Sequence, residues 1–120
     1  MAKILIVDDS AFARSSISMI VENGGHEVVG RAKDGDQAMH MYKSLHPELV
    51  TLDYLMDGKN GEEVLREMIA HDPAAKVIML SGSGDHAIEE TALQTGAKVF
   101  LEKPNMYMNL LKVIDQVMGI

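Results

Sequence analysis

The stretch Ile4-Leu5-Ile6-Val7-Asp8-Asp9-Ser10 decides the reading of this chain. Four consecutive apolar residues, three of them β-branched, end abruptly on two carboxylates and a hydroxyl. A strand without alternation is covered on both faces, the situation of a parallel sheet sandwiched between helices. From about Ser10 to Glu22 the apolar period changes to that of a helix. The same rhythm recurs to the end. Short apolar runs at Val28-Val29, Leu49–Leu52, Val77–Leu80 and Val99–Leu101 predict four more strands. Amphipathic stretches from about Asp34 to Leu45, Gly61 to His71, Asp85 to Thr95 and Asn105 to Met118 predict four more helices.

Local punctuation agrees. Asp34 with Gln37 three residues later has the form of a capping box, and Asn23-Gly24 predicts a left-handed stop after the first helix. Pro47 and Pro73 fall just past the second and third helices. Crossovers from strand through helix to parallel strand are right-handed, so the compact solution is an α/β, doubly wound five-stranded parallel sheet. Its reactive edge is the carboxyl end of the strands. With 120 residues the chain is expected to form one domain, residues 1–120.

Composition removes several function classes. Eleven Lys and Arg against 18 Asp and Glu give a net charge of −7, a field that repels phosphate backbones, so no nucleic-acid binding is expected. The absence of cysteine excludes disulfides, thiol catalysis and thiolate metal sites. The apolar run at Ile4–Val7 is too short for a signal peptide or a membrane span; a cytoplasmic location without membrane insertion is expected. The five histidines include no pair three or four residues apart, so a helical metal site is unsupported.

The residues just after the strands carry the chemistry: Asp8 and Asp9, Asp53, Ser81 and Lys103. Each alone has an ordinary explanation, as a helix cap, a turn residue or a surface lysine. Together they do not. Three carboxylates about 4 Å apart repel by about 4 kcal/mol per pair at an effective dielectric near 20, so positive charge must stand among them. An all-oxygen donor set selects a hard cation such as Mg²⁺, and Lys103 supplies a second, permanent charge. A carboxylate beside both is suited to attack phosphorus, with Asp53 becoming an acyl phosphate and Ser81 and Lys103 donating to the phosphoryl oxygens.

At this point the chain resembles the receiver domain of response regulators, especially the single-domain chemotaxis type. The resemblance covers the whole chain, through Val7-Asp8-Asp9-Ser10, Leu52-Asp53, Ser81-Gly82 and Lys103-Pro104. The spacing is 44 residues from Asp9 to Asp53, 28 more to Ser81 and 22 more to Lys103. It implies a flavodoxin-like strand order of 2-1-3-4-5. By the same resemblance Asp53 is the phosphoacceptor, taking its group from a histidine kinase. Asp9 and Asp53 are direct Mg²⁺ ligands, Asp8 assists through water, and the Leu55 backbone carbonyl is a further ligand. Ser81 and Lys103 hold the phosphoryl group. Ser81 and Phe100 form the switch that remodels the face of the fourth helix, fifth strand and fifth helix, where a downstream target binds. The Lys103-Pro104 peptide is expected to be cis. Such a protein is no enzyme beyond promoting its own phosphorylation and dephosphorylation.

The segment after Asp53 departs from the family pattern. Asp57 stands where a proline is usual and is expected to add negative charge. Gly58 and Gly61 are expected to loosen the loop, and the apolar Leu55 borders the route of attacking water, implying slow self-dephosphorylation. Two other functions stay in view: an interaction module independent of phosphorylation, and an aspartyl-nucleophile phosphatase. The phosphatase normally needs an acid where Leu55 stands. Gly82-x-Gly84-x-x-Ala87 has the form of a dinucleotide fingerprint but lies outside the first strand-helix-strand unit, and reads instead as a loop beside Ser81. Most of the ten methionines read as core filler, with Met106 and Met108 expected at the surface.

Overall fold

The computed structural model describes residues 1–56, 58–82 and 84–120. Five strands, β1 (Lys3–Val7), β2 (Glu27–Ala32), β3 (Leu49–Asp53), β4 (Val77–Ser81) and β5 (Val99–Glu102), alternate with five α-helices. These are α1 (Ala11–Asn23), α2 (Gly35–Leu45), α3 (Gly61–His71), α4 (His86–Thr95) and α5 (Met106–Met118), with one 3₁₀ turn at Lys103–Asn105. All sheet pairings are parallel, in the order β2-β1-β3-β4-β5. This is the flavodoxin-like receiver fold.

Alternating side chains of the same strands feed two cores. Ile4, Ile6, Leu49, Ile78 and Leu80 pack with α1 and α5, while Leu5, Val7, Val50, Leu52 and Met79 pack with α2, α3 and α4. β3 and β4 are buried along their whole length, which is why they read as unbroken apolar runs. β2 is an edge strand with only its last residue buried, so two valines are all its apolar signal, yet pairing with β1 extends it to six residues. Met106 is an exception to the expectation for the last helix: it is buried among the α1/α5 core, whereas Met108 is 88% exposed.

The caps are displaced from their expected places. Asp34 accepts from the Gln37 N–H, but the Gln37 side chain reaches back to Lys33 N–H, one residue beyond a reciprocal box. The reciprocal box occurs at Asn60 and Glu63, at the start of α3. After α1 the left-handed residue is Gly25, at φ +82°; Gly24 keeps a negative φ of −82°. Neither is Lys103-Pro104 cis, since the described residues contain no cis peptide. Pro104 instead sits in the opening of the 3₁₀ turn, where its fixed φ and missing N–H are both tolerated.

Candidate functional site

Parallel strands deliver their carboxyl ends to one edge, and the register sets which residues meet there. Val7 lies opposite Leu52 and Asp53 opposite Leu80, so Asp8, one step past β1, stands beside Asp53. The carboxylates of Asp8, Asp9 and Asp53 each place an oxygen within 4.8 Å of the others. Asp8 and Asp53 are buried, at 0% and 3% exposure, whereas Asp9 faces solvent.

Lys103 closes the cluster from a position 95 residues away from Asp8. Its Nζ donates to Asp8 Oδ2 at 2.9 Å and lies 3.1 Å from Asp53 Oδ1. Burial works against its charge, but the bond to Asp8 and the two carboxylates outweigh that and hold its pKa above the ordinary value. Asp53 moves the other way from a usual carboxylate. Burial first and the Asp8 charge second push its pKa up to about 6, with Lys103 only partly offsetting them.

A stability prediction follows from that direction. Because the folded pKa of Asp53 lies above its ordinary 3.8, ionising Asp53 opposes folding. The metal-free protein loses stability as pH rises from about 4 through about 6. Asp53→Asn keeps the shape and removes the charge, so at about pH 7.5 in EDTA it is expected to raise stability by about 1–2 kcal/mol. The gain should shrink towards zero below about pH 4. Urea midpoints of both proteins at the two pH values check this, and equal midpoints at the higher pH would contradict it.

Asp8 itself is held on every side. Its N–H donates to Ala32 O at the end of β2 (3.0 Å), and its Oδ1 accepts from Ser10 N–H at 2.9 Å. Its carbonyl accepts from Arg14 Nη1 at 2.8 Å. The sequence reading missed Arg14; its signal was a basic residue one helical turn past the Ser10 cap. Ser10 also caps α1 by accepting from Ala13 N–H at 3.2 Å.

Ser81 and Phe100 stand on the other face of the sheet. Ser81 is buried at the end of β4, and alternation from Val77 and Met79 places it on the α2–α4 side. Phe100, half-buried on the neighbouring β5, packs against that same core. With Met79 opposite Phe100 and Ser81 opposite Glu102, the two are diagonal neighbours on adjacent strands. The carboxylate of Glu102 lies against Gly84, where a Cβ would come within 2.6 Å of its Oε1, so Gly84 sits close to the end of β5.

The two glycines after Asp53 have different geometric surroundings. Gly58 does take a left-handed φ of +80° with open space around it. Gly61, however, is a packing glycine: a Cβ there would fall 2.5 Å from Asp53 O and 2.7 Å from Tyr54 Cα. Its N–H donates to Tyr54 O at 2.7 Å, drawing the start of α3 tightly under the loop. Leu55 is 71% exposed. Asp57 lies outside the described residues, and with it the expectation about its charge.

All donors gathered here are oxygen, and two of the three carboxylates are shielded from water, so the residues present fit a small hard cation. Comparisons with known proteins identify the family of the chain. Residues 4–115 match the family model for the response regulator receiver domain. The chain is 41% identical to Protein CcdB of Bacillus subtilis over 119 residues, covering 99% of each. It is 37% identical to Chemotaxis protein CheY of Thermotoga maritima over 115 residues, covering 96% of each. Among solved structures, a CheX–CheY–BeF3–Mg complex from Borrelia burgdorferi superposes with a TM-score of 0.93 at 32% identity, covering 97% of this chain and 88% of that one.

Proposed function

The chain belongs to the response regulator receiver domain family, of the chemotaxis and two-component signalling type, and from that premise we propose that Asp53 is its phosphoacceptor. The donor is the phosphohistidine of a histidine kinase. An Asp53 carboxylate oxygen attacks phosphorus, the donor's P–N bond breaks, an acyl phosphate forms, and the imidazole leaves as it takes up a proton. The observation that carries this reading is the meeting of Asp8, Asp9 and Asp53 within 4.8 Å with Lys103 between the two buried ones.

Asp9 and Asp53 would hold Mg²⁺ directly, with Asp8 acting through water and the Leu55 carbonyl as a further ligand. The two oxygens of Asp8 already accept from Ser10 and Lys103, which favours that indirect role. Mg²⁺ when bound neutralises carboxylate charge and draws phosphoryl oxygens towards the nucleophile. Lys103 stabilises the charge that develops on the transferred group, and Ser81 closes on it as a hydroxyl donor. The position of Phe100 diagonal to Ser81 supports a switch in which movement of Ser81 frees packing space for the ring. The face formed by α4, β5 and α5 then changes for a downstream target protein. Exposed Tyr107 and Met108 at the start of α5 give that face apolar contact area. The protein acts as one receiver unit over residues 1–120 in the cytoplasm, promoting only its own phosphorylation and dephosphorylation. Among the described residues no helix is long and apolar enough to cross a membrane.

The test is intact-mass spectrometry after incubation with a small phosphodonor and Mg²⁺. A single phosphoryl adduct is expected on the parent, not formed when EDTA is present from the start and absent in Asp53→Asn. No adduct on the parent would favour a phosphorylation-independent interaction module. Continuous turnover of free phosphate esters would favour a phosphatase, against which the apolar Leu55 speaks.

A further inference from the structure

From the geometry around Asp8 we infer that Arg14 is a positioning residue for the metal site, acting through the main chain of Asp8 rather than by touching ion or phosphoryl group. Asp8 is 0% exposed, and its carbonyl, one residue past the end of β1, accepts from Arg14 Nη1 at 2.8 Å. The remaining polar groups of Asp8 are held by Ala32 O, Ser10 N–H and Lys103 Nζ. Arg14 is thus one of two cationic side chains on Asp8, and the one that fixes its backbone. Within α1 the Arg14 carbonyl accepts from Ser18 Oγ at 2.7 Å, and Ser18 Oγ accepts from Arg31 Nε of β2 at 2.8 Å, a tie between α1 and β2 that does not touch the Arg14 guanidinium.

Two effects of Arg14 on a bound cation have opposite signs. As a positive charge near three carboxylates, it repels a divalent ion, so removing the charge alone would tighten binding. As the clamp on the Asp8 carbonyl, it keeps the peptide plane between Asp8 and Asp9 in one orientation, and with it both carboxylates. Losing that clamp leaves a buried carbonyl without a donor and lets the cluster spread, which weakens binding. The direction of the change therefore separates positioning from electrostatics.

This inference rests on the reading of Asp8, Asp9 and Asp53 as a Mg²⁺ site, and the experiment distinguishes the failure of each. MgCl₂ is titrated calorimetrically into the parent protein, Arg14→Met, Arg14→Lys and Arg31→Met, without any phosphodonor. We expect Arg14→Met to bind Mg²⁺ about 10-fold more weakly, as for the loss of other groups that orient ligands. Arg14→Lys, which retains a donor, should recover most of the loss. Arg31→Met, which cuts the neighbouring tie of α1 to β2, should bind as the parent does. Equal or tighter binding in Arg14→Met overturns the inference, as does an equal loss in Arg31→Met, which would mean general docking of α1. No Mg²⁺ uptake by the parent overturns the metal reading itself. Should Arg14→Met lack a cooperative unfolding transition, Arg14→Gln, too short to span to the Asp8 carbonyl, takes its place in the same comparison.

Discussion

Lys103→Met is expected to destabilise the metal-free protein by about 2–4 kcal/mol and to slow phosphorylation by about 10²- to 10³-fold. The stability loss comes from what remains behind. Asp8 and Asp53 are buried, and Lys103 Nζ sits 2.9 Å from one and 3.1 Å from the other. Removing one member of a buried charge group leaves the others desolvated and uncompensated, which costs more than the pair itself contributes. The Lys103 side chain retains 27% exposure, so water moderates the penalty and brings it somewhat below the usual range of about 3–5 kcal/mol for buried pairs. Two further measurements identify the cause. Asp53→Asn added to Lys103→Met should restore most of the lost stability in EDTA, because the repelling charge is gone. Mg²⁺ should likewise stabilise Lys103→Met more than it stabilises the parent, since an ion then supplies the only strong counter-charge. An unchanged urea midpoint for Lys103→Met in EDTA would show that the three side chains are not energetically coupled.

Gly61→Ala is expected to cost about 3 kcal/mol, far more than an alanine at the first turn of a helix ordinarily does, and to impair phosphorylation although residue 61 carries no reactive group. The new methyl would fall 2.5 Å from the main-chain oxygen of Asp53 and 2.7 Å from Tyr54 Cα. Both obstacles are backbone, so neither can swing aside as a flexible side chain would. Either α3 withdraws, breaking the 2.7 Å bond from Gly61 N–H to Tyr54 O, or the end of β3 shifts and carries the Asp53 carboxylate with it. Gly82→Ala is the matched control: it lies in the segment just after Ser81, none of the described residues beyond its chain neighbours stands within 4 Å of its new Cβ, and its effect should stay within about 0.5 kcal/mol. Urea denaturation of both variants, with the rate of adduct formation beside it, checks the pair. Equal stability of Gly61→Ala and Gly82→Ala would refute the packing role of Gly61.

These two sites show different degrees of legibility. Asp53 and Lys103 are legible from sequence only as a set with Asp8, Asp9 and Ser81 at successive strand ends, because each alone reads as an ordinary turn residue or surface lysine. Gly61 was visible as a glycine, but its packing role was not, since a sequence cannot distinguish a glycine needed for its backbone angles from one needed for the room it leaves. Gly58 and Gly61 stand three residues apart and illustrate both cases: one has φ +80° in open space, the other abuts the peptide of the phosphoacceptor. Met106 and Met108 differ for a similar reason. Two residues apart on a helix, they point about 200° away from each other, and only the docking of α5 settles which one enters the core. The capping box at Asn60 and Glu63 lay within reach of pattern reading, yet the chain offered a rival at Asp34 and Gln37 whose glutamine bonds one residue further back.

The sequence by itself determined the alternation of strands and helices, their bounds to within about a residue except for β2, the right-handed winding and the edge at which the acidic residues collect. Those follow from hydrophobic period and chain chirality, which are local properties summed along the chain. The tertiary structure alone decided that Asp8 and Asp53 are buried while Asp9 is exposed, that Lys103 spans both, and that Arg14 fastens the Asp8 carbonyl. Burial and contact depend on register between strands and on the seating of helices over them. Residues 95 positions apart thereby come within hydrogen-bonding distance, a relation that no window of sequence contains.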